Sequence, residues 1–238
     1  MNFIEGEILY INKPLQWTSF NVVNKLRWKM LKTLNLKKIK VGHAGTLDPL
    51  ASGVLIVCTG KKTRHIDTFT AQTKEYIATL KLGQTTPSFD LELPVDKTFP
   101  TEHIDFELVS RVVPAFTGEI WQEPPVFSAV KIDGKRAYDY ARRGEKVEIQ
   151  PKLLKIDRIE ILEFAPPFLT IRVECSKGTY IRALARDIGV ALGSGAHLVS
   201  LQRVRIGKVR LEDCMEIEEA LKLIENECIK HKNINLVP

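Results

Sequence analysis

The chain has 238 residues, 44% of them hydrophobic, which is material for one large domain or two small ones with a sizeable core. Lys and Arg number 35 against 29 Asp and Glu. The excess is uneven: from Glu212 onward there are seven acids and three lysines, the first 211 residues carry +10, and residues 25–40 hold seven bases and no acid. Such density points to a polyanion, nucleic acid or an anionic membrane, with an ordinary solvated surface as the alternative. No apolar run approaches the about 20 residues of a spanning helix, and the first residues carry acids where a signal peptide needs bases. Cys58, Cys175, Cys214 and Cys228 form no Cys-x-x-Cys pair, so neither a zinc scaffold nor a disulfide framework is expected. The expectation is a cytoplasmic protein with reduced thiols.

Both hydrophobic periods occur along the chain. Residues 5–13 read as a strand. From Ser19, a plausible N-cap, apolar residues at Phe20, Val23, Leu26 and Met30 have helical spacing. Residues 54–60 read as a short buried strand. Residues 74–83 alternate, with Tyr76, Ala78, Leu80 and Leu82 on one face. Turn formers and acids over 84–105 suggest a connecting excursion. Residues 168–178 form another alternating strand through Leu169, Ile171, Val173 and Cys175, followed by a helix with the stripe Ile181, Leu184, Ala185, Ile188 and Leu192. Residues 204–210 read as a strand. Asp213 and Glu216 open an amphipathic helix with the stripe Ile217, Ala220, Leu221, Ile224 and Cys228. Strands and helices interleave without regular βαβ spacing, so the class is α+β. No composition break divides the chain: residues 1–238 read as one catalytic domain, with 212–238 a C-terminal helical tail.

Asp48 stands in KVGHAGTLDPLASGVL, residues 40–55. Glycines permit tight backbone there, and Pro49 restricts Asp48 to extended conformations. The loop leads straight into the buried strand, so the carboxylate has few conformations. That suits a catalytic group, and an Asx-type turn is the alternative. In SKGTYIRALARDIG, residues 176–189, Arg182 lies in a first helical turn, where the helix dipole favours an acid. A base there suggests an anionic partner, Asp48 or a phosphate; an ordinary exposed Arg is the alternative. Tyr76, beside Lys74, offers a face for stacking on a base or a core side chain. Trp17, Trp28 and Trp121 read as packing residues, stacking being the other use. The five histidines form no metal box, and no phosphate loop is present. Neither a metal nor a nucleotide cofactor is expected.

Taken in order, these segments resemble the TruB-type tRNA pseudouridine synthases. The resemblance rests on NKPLQWTSF (12–20), VGHAGTLDPLASGVLIVCTGKKTR (41–64), KEYIATLKLGQTT (74–86), QEPPVFSAVKIDGKRAYDYARRGE (122–145) and SKGTYIRALARDIGVALGSGAHLVSLQRVRIG (176–207). It spans roughly residues 5–211. Gln16 replaces a usual Gly, Phe127 a usual Tyr and Gln202 a common Arg, and TPSFDLEL (86–93) departs from the usual Thr-Asp-Thr-x-Asp-x-x-Gly pattern. Many relatives carry a C-terminal PUA-type domain, which the helical end of this chain is expected to lack.

The resemblance implies a pseudouridine-synthase fold, a mixed, mostly antiparallel sheet flanked by helices with an RNA-binding cleft. It implies isomerisation of uridine at position 55 in the T-loop of tRNA, on a flipped-out base. The catalytic residues would be Asp48, Tyr76 and Arg182, with Arg182 pairing with Asp48. His43 and Leu201 would meet the base or the refolded loop. Lys13, Lys61, Lys62, Arg64, Lys177, Tyr180 and the 131–143 segment would contact the RNA. The expected partner is the tRNA T-stem-loop, with the protein a monomer and no membrane or metal involved. A non-catalytic tRNA-remodelling protein is the alternative, and a guide-RNA-dependent relative a further one.

Overall fold

The computed structural model describes residues 1–234 except Ala129, Asp133, Gly144 and Lys146. Of Lys131, Ile132, Lys135, Arg136, Ala141, Arg142 and residues 228–234 it describes the backbone alone. In chain order the elements are β1 (Ile8–Lys13), α1 (Ser19–Leu34), β2 (Val41–Ala44), β3 (Ala51–Thr59), α2 (Ile66–Ala71), β4 (Lys74–Leu82), β5 (Gln84–Thr85) and β6 (Lys97–Thr98). There follow α3 (Phe106–Val112), β7 (Gly118–Gln122), β8 (Lys131–Ile132), β9 (Lys135–Arg136), α4 (Ala137–Arg142), β10 (Lys152–Ala165), β11 (Phe168–Cys175), α5 (Ile181–Ala191), β12 (Ala196–Ile206), β13 (Val209–Arg210) and α6 (Ile217–Ile234). The chain divides into two compact units, residues 1–74 with 202–238, and residues 75–201.

In the first unit, β3 has apolar side chains at successive positions, and a strand so composed must be covered on both faces. It pairs antiparallel with β1 (Leu9 opposite Val57, Ile11 opposite Leu55) and with β2 (Val41 opposite Thr59, Ala44 opposite Ile56). Leu55 and Val57 point, with Leu9 and Ile11, toward Val22, Leu26 and Met30 of α1 and Ile217, Ala220 and Ile224 of α6. Val54, Ile56 and Cys58 pack on the other side with Ile206 and Val209, against Ile66 and Phe69 of α2. A parallel bridge joins Ile11 to Met215; the ladders described in this unit are otherwise antiparallel. Helix α6 is thus part of this core. The described part of its stripe is buried or half-buried, and the Cys228 side chain lies outside the described residues.

In the second unit the order is β4, β11, β10, β7. Along β4 every second side chain from Lys74 to Leu82 is buried, and along β11 Leu169, Ile171, Val173 and Cys175 are buried. The alternation expected for both strands is therefore observed. Strand β10 is charged and half-exposed, carries two register shifts against β11, and continues antiparallel onto β7. The α5 stripe is buried from Ile181 to Leu192 as its spacing predicts. The whole is α+β with mostly antiparallel strands.

Several local expectations are corrected. Thr18, not Ser19, caps α1: its Oγ1 accepts the Asn21 N–H (3.0 Å), and the Asn21 side chain returns to the Thr18 N–H (2.9 Å). Phe20 faces solvent at 60% exposure, because the buried parity of α1 runs through Ser19, Val22, Val23, Leu26 and Met30. Residues 204–210 are not one strand: β12 begins at Ala196 and turns at Gly207 into β13. Asp213 caps a short 3-10 turn through the Arg210 N–H (2.8 Å), while α6 opens with the Glu216 N–H on Glu219 Oε2 (2.9 Å). The 84–105 excursion contains the β5–β6 hairpin.

Since α6 completes the first unit's core, Ile224→Ala is expected to lose about 2–4 kcal/mol, whereas Phe20→Ser on the exposed side of α1 stays within about 0.5 kcal/mol. Urea unfolding of the two variants beside the parent checks this.

Candidate functional site

Strands β2 and β3 are joined by residues 45–50, and Asp48 is half-buried in that connection. Its backbone is held at several points. The Arg203 guanidinium, 1% exposed, donates from Nη2 to Gly45 O (2.9 Å) and from Nε to Val54 O (2.8 Å), so one side chain ties both ends of the hairpin. At Gly53 (φ +107°) a Cβ would lie 2.2 Å from Arg203 O, so β12 approaches β3 only because no side chain stands there. At the crown, the Leu47 N–H donates to Ser19 Oγ (2.9 Å), whose hydroxyl meets Leu47 O (3.2 Å). The Gln16 N–H donates to Pro49 O (2.8 Å), and the Ala51 N–H closes a turn on Asp48 O (3.1 Å). Gln16 takes φ 65°, the left-handed region that glycine enters without strain.

Lys13 is wholly buried and donates from Nζ to Pro14 O (2.9 Å) and Trp17 O (2.5 Å). Burial pushes its pKa down to about 8; the Asp48 charge opposes that fall and the Arg203 charge adds to it. This corrects the expectation of a phosphate contact: an ammonium enclosed with two carbonyl oxygens braces the loop before α1. His43 is half-buried on β2, and its buried Nδ1 has no hydrogen-bond partner among the described residues. Burial first, then Arg203, holds its pKa below the ordinary imidazole value, so the ring is neutral at pH 7. The first unit therefore gathers Lys13, His43, Asp48 and Arg203 around one hairpin.

In the second unit, Arg182 is buried at the start of α5. It donates to Ser88 O (3.1 Å) and Phe127 O (3.0 Å), and its Nε lies 3.6 Å from Asp90 Oδ2. Phe127 thus serves through its carbonyl, which any residue supplies. Asp90 also takes the Glu92 N–H on Oδ1 (2.9 Å), which fixes its carboxylate. Gln122, fully buried at the end of β7, clamps the backbone of Tyr180 just before α5: Oε1 takes the Tyr180 N–H (2.8 Å) and Nε2 donates to Tyr180 O (3.2 Å). Tyr76 is buried on β4 and Leu201 on β12. Asp48 belongs to one unit, and Tyr76, Arg182 and Leu201 to the other.

The expected phosphate contacts are at the surface apart from Lys13. Lys61, Lys62, Arg64 and Lys177 are exposed. Lys61 meets Glu5 at 2.6 Å, an exposed pair worth little and easily exchanged for a phosphate. In the 131–143 segment the side chains of Lys131, Lys135, Arg136 and Arg142 lie outside the described residues. Trp28 and Trp121, read as packing residues, are 58% and 71% exposed. Among the described residues no group of three His, Cys, Asp or Glu side chains is arranged to hold a metal ion, and no helix is long and apolar enough to cross a membrane.

Sequence reasoning missed Arg203, Ser19, Gln122 and Asp90. Arg203 left one signal: it shares strand parity with the buried Leu201. Asp90 left another, as the acid that persists inside the divergent TPSFDLEL.

Residues 31–181 match the model of the TruB family pseudouridylate synthase N-terminal domain, and residues 182–235 match that of the tRNA pseudouridylate synthase B C-terminal domain. The second match takes in most of the helical end, which the motif resemblance had left outside. A tRNA pseudouridine synthase B from Parabacteroides distasonis is 64% identical over 230 residues, 97% of this chain and 98% of that protein. One from Flavobacterium johnsoniae is 50% identical over 224 residues, 92% of this chain and 98% of that protein. Among solved structures, a Cbf5-Nop10-Gar1 complex aligns with a TM-score of 0.69 at 32% identity. That match covers 92% of this chain but 54% of the other, so this chain spans about half its length.

Two outcomes follow from the hairpin's supports. Gln16→Gly removes left-handed strain that exceeds glycine's added unfolded-state entropy, and is expected to stabilise by about 0.5–1 kcal/mol, read as a rise in Tm. For Lys13, the depressed folded pKa means that the unfolded chain binds more protons between about pH 8 and the ordinary lysine value of 10.5. Its contribution to stability therefore rises with pH across that window. Chemical denaturation from pH 7.5 to 10 should show this rise in the parent relative to Lys13→Met.

Proposed function

The chain belongs to the TruB family of pseudouridylate synthases and is an isomerase acting on tRNA, and we propose that its target is the T-loop uridine at position 55, with Asp48 as the catalytic carboxylate. The reaction breaks the C1′–N1 glycosidic bond, turns the uracil and joins its C5 to C1′ of the sugar; the C5 proton leaves and the freed N1 takes up a proton. Product and substrate have the same composition, so the residues must bind, turn and retain the base rather than supply atoms.

One carboxylate serves this chemistry by attacking C1′, by adding to C6 of the base, or by removing a sugar proton to give a glycal. Carboxylates act as covalent nucleophiles in related glycosyl chemistry. The observation that carries the reading is the hairpin: Asp48 stands on backbone pinned through Gly45, Leu47, Pro49 and Val54. Such preorganisation is what a reacting group needs. By the family resemblance, Tyr76 is assigned to stacking on the detached uracil and to loss of the C5 proton, and Arg182 to supplying positive charge. Leu201 excludes water from the base. His43, neutral and on β2, stacks within the refolded T-loop. Extrusion of the target base costs a few kcal/mol, offset by phosphate and sugar contacts from Lys61, Arg64, Lys177 and Tyr180.

Purified parent protein is expected to release tritium from T-stem-loop RNA labelled at C5 of uridine, without added partners. Asp48→Asn is expected to lower that release at least about a hundredfold while binding the RNA as the parent does. Release at the parent rate by Asp48→Asn would remove Asp48 from the mechanism. Pseudouridine mapped to another tRNA position would remove the T-loop assignment.

A further inference from the structure

From Ser19 to Lys40 the chain carries no acid. On α1, Asn21, Lys25, Trp28 and Lys32 recur at intervals of four, three and four residues, which places them along one helical face, and all four are exposed. The other two bases of α1 are engaged elsewhere: Arg27 donates to Asn24 Oδ1 (2.6 Å), and Lys29 pairs with Glu225 (2.8 Å). Trp28 is 58% exposed with the Lys32 ammonium 5.0 Å from its ring centroid. An indole left in water beside a cation makes no contribution to the core behind α1, which Val22, Val23, Leu26 and Met30 fill.

The stripe also begins beside the hairpin that carries Asp48. A cavity of about 500 Å³ is lined by Gln16, Trp17, Asn21, Asn24 and Lys25. The Gln16 N–H is bonded to Pro49 O, and Ser19 to Leu47. From Ser19, Trp28 lies about 14 Å along the helix at 1.5 Å per residue. A cavity rimmed by side-chain amides, followed by a lysine, an indole and a second lysine, has the elements of a single-strand RNA track: hydrogen-bonding groups for base edges, cations for phosphates and a flat face for a base.

We propose that this face of α1 is a second RNA-binding surface, engaging an unpaired stretch of the same tRNA whose uridine is modified. One base stacks on Trp28, and Lys25 and Lys32 neutralise the flanking phosphates. The inference rests on the tRNA reading above, and the charge of the face selects its occupant: it is cationic, without an acid of its own, and continuous with the loop that holds Asp48.

The test is tRNA affinity as a function of salt for the parent and the Lys25→Ala/Trp28→Ala/Lys32→Ala variant, all three positions being exposed. The variant should bind tRNA about tenfold or more weakly, in line with one lost stack and two lost phosphates. The slope of log K against log salt should become shallower by about 1.4, at roughly 0.7 per phosphate on a single strand. The single-turnover rate at saturating tRNA and the Tm should not change. Trp28→Tyr should keep most of the affinity, and Trp28→Leu, apolar but without a π face, should lose it. Parent-like affinity and slope in the triple variant, or parent-like binding by Trp28→Leu, would overturn the proposal. Affinity and slope decide the surface even if mapping finds position 55 unmodified, an outcome that counts against the functional reading alone.

Discussion

One guanidinium, that of Arg203, holds both ends of the hairpin on which Asp48 stands, and the placement of that carboxylate depends on that bridge. A buried cation is expensive unless its donors are satisfied and an opposite charge is near. Arg203 and Lys13 of the first unit are buried in this way, each bonded to two carbonyl oxygens. The negative charge that acts on Lys13 is Asp48 itself. The carboxylate thus offsets part of the cost of burying Lys13, and Arg203 fixes the backbone on which that carboxylate stands. Stability of the loop and placement of Asp48 are two results of one arrangement.

The second unit uses the same device. Arg182 is held by the carbonyls of Ser88 and Phe127 and by the fixed carboxylate of Asp90. Because the Phe127 contact is to backbone, the side chain there can vary while the guanidinium stays in place. Ser88 is held more tightly: its buried hydroxyl donates to Asp90 O and takes the Leu93 N–H. Gln122 supports the arrangement by holding the backbone at Tyr180, just before α5.

What was legible in the sequence was burial with a clear period. Strands β4 and β11 and helix α5 carry apolar residues at the spacing of their own geometry, and their boundaries came within a few residues. Strand β10 was not legible: its alternation is broken by charged residues and two register shifts, and it is a strand because β11 and β7 flank it. Phe20 and Ser19 were misread for a related reason. The two faces of α1 differ by one residue step near its start, and Leu47 draws the Ser19 hydroxyl inward while Phe20 is turned to solvent.

For the site, the sequence by itself determined which residues are candidates for the chemistry: an acid in a glycine-rich loop, an arginine at a helix start, a tyrosine opening a strand, and five ordered segments shared with a family. These are local or ordered along the chain, so a reader of the chain alone can find them. Only the tertiary structure decided what holds them. Lys13 reads as a surface base, yet it shares parity with Leu9 and Ile11 and is buried with them. Arg203 lies 158 residues from Gly45, the carbonyl it holds. Which buried polar groups satisfy one another is set by packing between distant segments, and no period or spacing along the chain encodes that.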